Sequence, residues 1–260
     1  MKSKKSLGQN FLSNIDILNQ IVDEGKIATD DIIIEIGPGT GNLTSEILKK
    51  NPKKLIVVEK DNDLSKLLFK KFEKKIDIIN NDILKCYFNF KYDNPVIVYG
   101  NLPYNISTEI LISFIKLDNL DRYFKKFIFI FQKEVADRIV AEQNSKNYGR
   151  LSILTSWKMS CKKVLDIDPR YFNPMPKVWS SLLVITPKSK IEYLKNPKNL
   201  EHVTNIFFNQ RRKMIKKPMK QLFTDYEQVA KNLNLDLNLR PQNVSKQKFL
   251  EICKYYEGLI

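Results

Sequence analysis

Ile32-Ile33-Ile34-Glu35-Ile36-Gly37-Pro38-Gly39-Thr40-Gly41, followed by Leu43, Ile47 and Leu48, sets the architecture of this chain. The β-branched run suits a central parallel strand covered on both faces. A glycine-rich turn and apolar residues at helical spacing follow it. Strand, bare turn and helix together form the nucleotide-binding opening of a doubly wound α/β fold. The spacing is Gly-x-Gly-x-Gly with Asn42 next, whereas the dinucleotide fingerprint places its third glycine one residue later. A pyrophosphate cofactor is therefore disfavoured. A turn this bare lets a small ligand approach the backbone closely, although the same residues also serve a tight turn with no ligand.

Working outward, each further strand ends in a polar group. Leu55 to Val58 runs into Glu59-Lys60-Asp61, and Glu59 lies 22 residues after Gly37, near the roughly 20-residue interval at which an acid reaches ribose hydroxyls. Asp61 is a candidate cap for the helix of Leu64, Leu67, Leu68 and Phe72. Ile76 to Ile79 ends at Asn80-Asn81-Asp82-Ile83, where Asp82 can accept from an adenine amine and Ile83 can pack on the ring. Val96 to Tyr99, bounded by Pro95 and Gly100, leads to Asn101-Leu102-Pro103-Tyr104. Polar groups at successive strand ends describe a nucleoside-bearing ligand along the carboxyl edge of a parallel sheet.

The Asn101–Tyr104 stretch suits a second ligand, a flat ring bearing an amine. The Asn101 side chain and the Leu102 carbonyl are two acceptors that would draw the amine hydrogens aside and localise its lone pair. Pro103 holds the residue before it extended, which aims that carbonyl, and Tyr104 can stack on the ring. Asn and Pro are also ordinary turn residues, so the four residues alone equally describe a strand-to-helix turn.

Composition narrows the partners. Lys and Arg total 44 against 29 acidic residues, a formal charge of +15, and such a surplus is usual for a protein that meets a polyanion. Only seven of the 44 are Arg, the pattern of an AT-rich genome, so codon bias also contributes. A hydrophobic content of 43% indicates a globular protein with a real core. No apolar run reaches the roughly 18 residues of a membrane span. Met1 to Ser6 is basic with no apolar signal region behind it, so neither an export signal nor a transit peptide is expected. Cys86, Cys161 and Cys253 are isolated and odd in number, and His202 is the single histidine. No disulfide framework, metal site or histidine-based chemistry is expected, and a reducing cytoplasm fits.

The motifs in combination resemble a known family. Leu7-Gly8-Gln9-Asn10-Phe11-Leu12, the Glu35 to Gly41 turn, Val58 to Asp61, Asn80 to Leu84 and Asn101 to Ser107 are similar, in order and spacing, to the rRNA adenine N6-dimethyltransferases of the KsgA type. The resemblance continues through Phe131 to Arg138, Tyr148 to Ser152 and Phe172-Asn173-Pro174-Met175-Pro176-Lys177-Val178, so it covers nearly the whole chain. It implies a Rossmann-like class I methyltransferase sheet, closed by Ser181 to Ile185 as an antiparallel edge strand, and S-adenosylmethionine as cofactor. By that resemblance Asn10, Leu12 and Gly37 hold the methionine end, Glu59 the ribose, and Asp82 with Ile83 the adenine. Gly39, Gly41 and Lys60 complete the cofactor set, and Asn101 lies between cofactor and target. Phe172 is implied to face the target base opposite Tyr104. Read without the resemblance it is better described as a core phenylalanine.

Between these motifs, Phe127 to Phe131 reads as an apolar strand, and Glu134 to Glu142 and Gly149 to Met159 as helices. Composition changes at Pro187, giving an expected methyltransferase domain over 1–187 and a helical RNA-binding domain over 188–260. Lys188 to Asn199 reads as a linker. Val203, Ile206, Phe207 and Met214 then share one face of an expected helix, with Arg211, Arg212, Lys213, Lys216 and Lys217 crowding the rest and Pro218 ending or bending it. Unrelieved positive charge destabilises a helix, and RNA phosphate would compensate it. The family implication is dimethylation of two adjacent adenosines near the 3′ end of 16S rRNA in an immature 30S subunit, by a monomer. Phe208 to Lys213 and Leu239 to Ser245 favour this over the macrolide-resistance enzymes acting on large-subunit rRNA, which share the catalytic motifs. A non-catalytic RNA-binding assembly factor and a mitochondrial-type transcription factor built on this fold are the alternatives from another class, and the intact Asn-Leu-Pro-Tyr speaks against both.

Overall fold

The computed structural model describes residues 9–86 and 94–260. The basic start Met1 to Ser6, with Leu7 and Gly8 of the N-terminal motif, lies outside the described residues. The chain divides into two compact units, one of residues 1–136 and 161–187, the other of residues 137–160 and 188–260.

The first unit opens with a short strand β1 (Phe11–Leu12) and helix α1 (Ile15–Asp23). As the spacing predicts, Asn14 caps α1: its side chain accepts from the Ile17 amide at 3.0 Å. Then come β2 (Ile32–Ile36), α2 (Asn42–Leu48), β3 (Lys54–Val58), α3 (Asn62–Phe72), β4 (Asp77–Ile79) and β5 (Val96–Asn101). Helices α4 (Ser107–Ile115) and α5 (Leu120–Tyr123) lead to β6 (Phe124–Gln132), which runs into α6 (Lys133–Ile139). The chain then contributes α7 (Arg150–Lys158) to the second unit, and strands β7 (Met159–Ile167), β8 (Phe172–Asn173) and β9 (Ser180–Pro187) follow.

Seven strands form one sheet in the order β4-β3-β2-β5-β6-β9-β7. Strands β4 through β6 run parallel, and β9 is antiparallel to β6. The antiparallel strand is as expected, but it is not the edge, because β7 lies beyond it. Its polar sequence, Met-Ser-Cys-Lys-Lys-Val-Leu-Asp-Ile, carries no strong strand signal. Ile33, Ile34 and Ile36 of β2 are buried, as a doubly covered central strand requires. The strand order reverses beside β2: β3 and β4 lie on one side, β5 and β6 on the other. A ligand crevice forms at such a switch point, outside the carboxyl ends of the strands.

In the second unit α8 (Pro197–Phe208) begins inside the segment expected to be a linker, with Pro197 at its first turn and the Asn196 side chain accepting from the Lys198 amide. One continuous helix through Met214 was the expectation. Instead α8 ends at Phe208 and α9 (Lys216–Leu222) starts after a turn. Pro218 explains the second start, since in the first turn of a helix its missing N–H goes unused. Met214 consequently leaves the apolar face and is 56% exposed. Helices α10 (Tyr226–Asn232) and α11 (Lys246–Tyr256) complete the unit. Its core includes Phe207 and Phe249, whose rings meet edge to face with centroids 5.2 Å apart.

Candidate active site

The carboxyl ends of β2, β3, β4 and β5 open on one cleft of about 850 Å³, part of it continuous with solvent. Gly37 and Gly39 line it from the turn after β2, Glu59 and Lys60 from the end of β3, Asp82 and Ile83 from the end of β4, and Asn101 and Pro103 from the end of β5. Asn10 lines it from the segment before β1. Nine residues singled out from sequence therefore meet in one place, drawn from segments far apart in the chain.

Local chemistry fixes each of them. Gly39 has φ +59°, and a Cβ there would sit 2.7 Å from the Phe11 ring, so only glycine fits without displacement. Its amide donates to Glu59 Oε2 at 3.2 Å, while the Asp61 amide donates to Glu59 Oε1 at 2.8 Å. Glu59 is 6% exposed, and burial pushes its carboxyl above the usual range despite these bonds. Each of its oxygens retains a lone pair for a ligand hydroxyl. Asp61 caps α3 as expected and also accepts from Gln9 Nε2 at 3.2 Å. Asp82 accepts from Lys60 Nζ at 2.8 Å and from the Leu84 amide at 3.0 Å, and the lysine bond holds its carboxyl below the usual range.

Asn101 Nδ2 donates to the Asn10 carbonyl at 2.7 Å, which leaves the amide oxygen as the acceptor end. The Asn10 segment is thereby strapped across the cleft, and Asn42 Nδ2 holds the Leu12 carbonyl at 2.8 Å. Asn80 Nδ2 donates to the Glu59 carbonyl at 2.8 Å. Sequence reasoning gave Gln9, Asn42 and Asn80 no role. Their signal is an amide beside a motif residue, which is too common in turns to stand out.

A family model described as ribosomal RNA adenine dimethylase matches residues 1–258. The chain belongs to this family. It is 54% identical over 259 residues to the ribosomal RNA small subunit methyltransferase A of Pelagibacter ubique (strain HTCC1062), covering 100% of this chain and 98% of the relative. Its fold is similar to that of a dimethyladenosine transferase from Plasmodium falciparum, with TM-score 0.76, 26% identity and coverage of 95% and 98%. It is also similar to that of the 23S rRNA methyltransferase ErmE, with TM-score 0.70, 20% identity and coverage of 96% and 100%. The expected methyltransferase sheet is borne out.

Other singled-out residues of this dimethylase lie outside the main cleft lining. Gly41 N-caps α2 with φ +77°. Leu12 is buried and lines a small neighbouring cavity with Glu35, Asn42 and Asn101. Leu102 is buried, and the Pro103 carbonyl accepts from the Ile106 amide at 3.1 Å. Tyr104 is bonded through its hydroxyl to Ser180. Phe172 is 3% exposed, pairs with Leu12 across β1 and β8, and packs in the apolar cluster of Leu12, Leu18 and Ile130.

In the second unit, an open basin is lined by Arg212, Lys213, Met214, Lys216, Lys217, Lys220 and Arg240. Lys220 and Arg240 join the basic residues named from sequence because α9 and the segment before Pro241 converge here. Arg211 is set apart: its guanidinium donates to the Lys146 carbonyl and to Gln242 Oε1.

Proposed function

We propose that this methyltransferase uses S-adenosylmethionine to dimethylate N6 of two adjacent adenosines near the 3′ end of 16S rRNA, during maturation of the small ribosomal subunit. The observation that carries the reading is the convergence of Gly39, Glu59, Asp82 and Asn101 on one cleft. The donor set suits the cofactor: a buried carboxyl group for ribose hydroxyls and a carboxylate beside Ile83 for adenine. When bound, the cofactor supplies an electrophilic methyl group.

The chain's own residues do the positioning. Glu59 is held by two backbone amides, so a ribose is met by an acceptor that needs no rearrangement. The Asn101 amide oxygen and the Leu102 carbonyl accept the two N6 hydrogens of an adenine taken out of its RNA stack, turning the nitrogen lone pair toward the methyl donor. Tyr104 stacks on the base, and Phe172 supports the site from the apolar cluster. Alignment of this kind supplies up to roughly 7–11 kcal/mol of barrier lowering. No strong base is needed, because a nitrogen that has gained a fourth bond is acidic. Residues 1–187 hold the cofactor and catalytic groups, and residues 188–260 contribute the basic surface for RNA. The enzyme acts as a monomer in the cytoplasm; no helix among the described residues is long and apolar enough to cross a membrane.

The test offers labelled S-adenosylmethionine with unmethylated small-subunit particles or with naked large-subunit RNA. Label in the particles, released as N6,N6-dimethyladenosine, is the expected result. Label in the large-subunit RNA alone overturns the substrate, and label in neither despite RNA binding leaves an assembly factor.

A further inference from the structure

The hydroxyl oxygens of Tyr104 and Ser180 are 2.5 Å apart. Ser180 is the first residue of β9 and is fully buried. The sheet registers fix where it sits. Asn101 of β5 pairs with Ile130 of β6, and Ile130 pairs with Leu182 of β9, so Ser180 lies opposite Gln132 at the end of β6. It therefore occupies the same edge of the sheet as Asn101, two strands away. The Tyr104 side chain leaves the turn after β5, spans the end of β6 and is tied at its phenol to β9. A ring fixed at both its backbone and its para position cannot change its first side-chain torsion without breaking the tie.

The strand end that supplies this anchor is itself fixed. Ser181, the next residue, faces the opposite side of the sheet, and its hydroxyl donates to Asp166 Oδ1 at 2.5 Å. Asp166 also meets Lys133 Nζ at 2.9 Å and Lys163 Nζ at 3.3 Å. The Trp179 carbonyl accepts from the Lys133 amide at 2.9 Å. A one-residue slip of β9 would swap the two serines between faces and break both side-chain bonds. The hydroxyl at position 180 is thus presented in a single place.

We propose that Ser180 is a positioning residue for methyl transfer: its hydroxyl holds the phenol end of Tyr104, and with it the first side-chain torsion, so that the ring stays in the one place from which its face can lie against the target adenine. This rests on the reading that Tyr104 stacks on that base. An apolar contact at position 180 would fill the space without fixing the ring. A hydroxyl pair fixes it, because separating the two strands a half-buried phenol and a buried serine without partners.

The experiment compares wild type, Ser180→Ala, Ser180→Thr, Tyr104→Phe and the Ser180→Ala/Tyr104→Phe double variant on unmethylated small-subunit particles. A second readout is the fluorine resonance of 3-fluorotyrosine placed at position 104. Ser180→Ala and Tyr104→Phe each lower kcat about tenfold, with KM for S-adenosylmethionine unchanged, and the double variant is no slower than either. Ser180→Thr retains activity. The fluorine line is single in wild type and Ser180→Thr, and splits or broadens in Ser180→Ala. Losses that multiply in the double variant, a normal kcat in Ser180→Ala, or a fluorine line indifferent to position 180 overturns the proposal alone. A wild type that transfers no label overturns the methylation reading and the proposal with it. If Ser180→Ala melts early, Tyr104→Phe and Ser180→Thr carry the test, and equal activity of Tyr104→Phe and wild type overturns it.

Discussion

Asn101 at the end of β5 and Asn10 before β1 are joined by a 2.7 Å hydrogen bond from the Asn101 side-chain nitrogen to the Asn10 carbonyl oxygen. One amide thus serves two ends. Its nitrogen holds the Asn10 segment beside the cleft, and under the proposed function its oxygen is the acceptor for the substrate amine. Asn101→Ala is expected to lower kcat by roughly 100-fold while RNA binding, read by filter retention, stays near wild type. Asn101→Asp keeps an acceptor but sets carboxylate oxygen against carbonyl oxygen, so it should weaken cofactor binding as well. Near-normal turnover of Asn101→Ala would remove the residue from the mechanism.

Glu59 makes a separate prediction, because both its oxygens already receive backbone amides. In Glu59→Gln the side-chain NH2 must face one of those donors. Cofactor affinity, measured by equilibrium dialysis, is expected to fall roughly 10–100-fold, and kcat at saturating cofactor should change little. An unchanged dissociation constant would mean that the carboxylate only braces the Gly39 turn.

These two sites were readable from sequence for a physical reason. Parallel strands deliver their carboxyl ends to one edge, so a polar residue after each apolar run predicts convergence before any coordinate is known. Glu59, Asp82 and Asn101 are cases of that rule. The break between α8 and α9 was not readable. The basic run from Arg211 to Lys217 looks the same on a helix as in a turn, and a proline is legal both at a helix end and in a first turn. Strand β7 was missed because an edge position imposes little apolar patterning. The Tyr104–Ser180 tie was missed because it depends on the registers across β5, β6 and β9, which sequence spacing does not contain.

Glu35 predicts the pH dependence of stability. It is buried beneath the glycine turn, accepts from Thr44 Oγ1 at 2.6 Å, and burial raises its carboxyl to about 8. In the unfolded chain the group titrates near 4.5. Between these values the folded protein binds a proton that the unfolded chain has released, so stability falls as pH rises from about 4.5 to about 8. Glu59, also raised by burial, adds a contribution of the same sign. Urea midpoints at pH 5 and pH 8.5 should therefore differ less for Glu35→Gln than for wild type. An equal difference in the two proteins would mean that Glu35 is already ionised in the fold.

The basic basin separates arginines that sequence alone treats as equivalent. Arg212 is exposed on the rim with Lys213, Lys217 and Arg240, whereas the Arg211 guanidinium is engaged by the Lys146 carbonyl and Gln242. If the rim meets RNA phosphate, Arg212→Ala and Lys217→Ala each weaken binding and reduce the slope of log K against log salt by about 0.7–0.9. Their melting temperatures should match wild type. Arg211→Ala should instead destabilise the helical unit by about 1–2 kcal/mol, because the Lys146 carbonyl and Gln242 lose their donor, and leave the salt slope nearly intact. Measured together, salt titrations and melts distinguish a phosphate contact from a structural clasp. A reduced slope for Arg211→Ala with unchanged melting would reverse the assignment of the two residues.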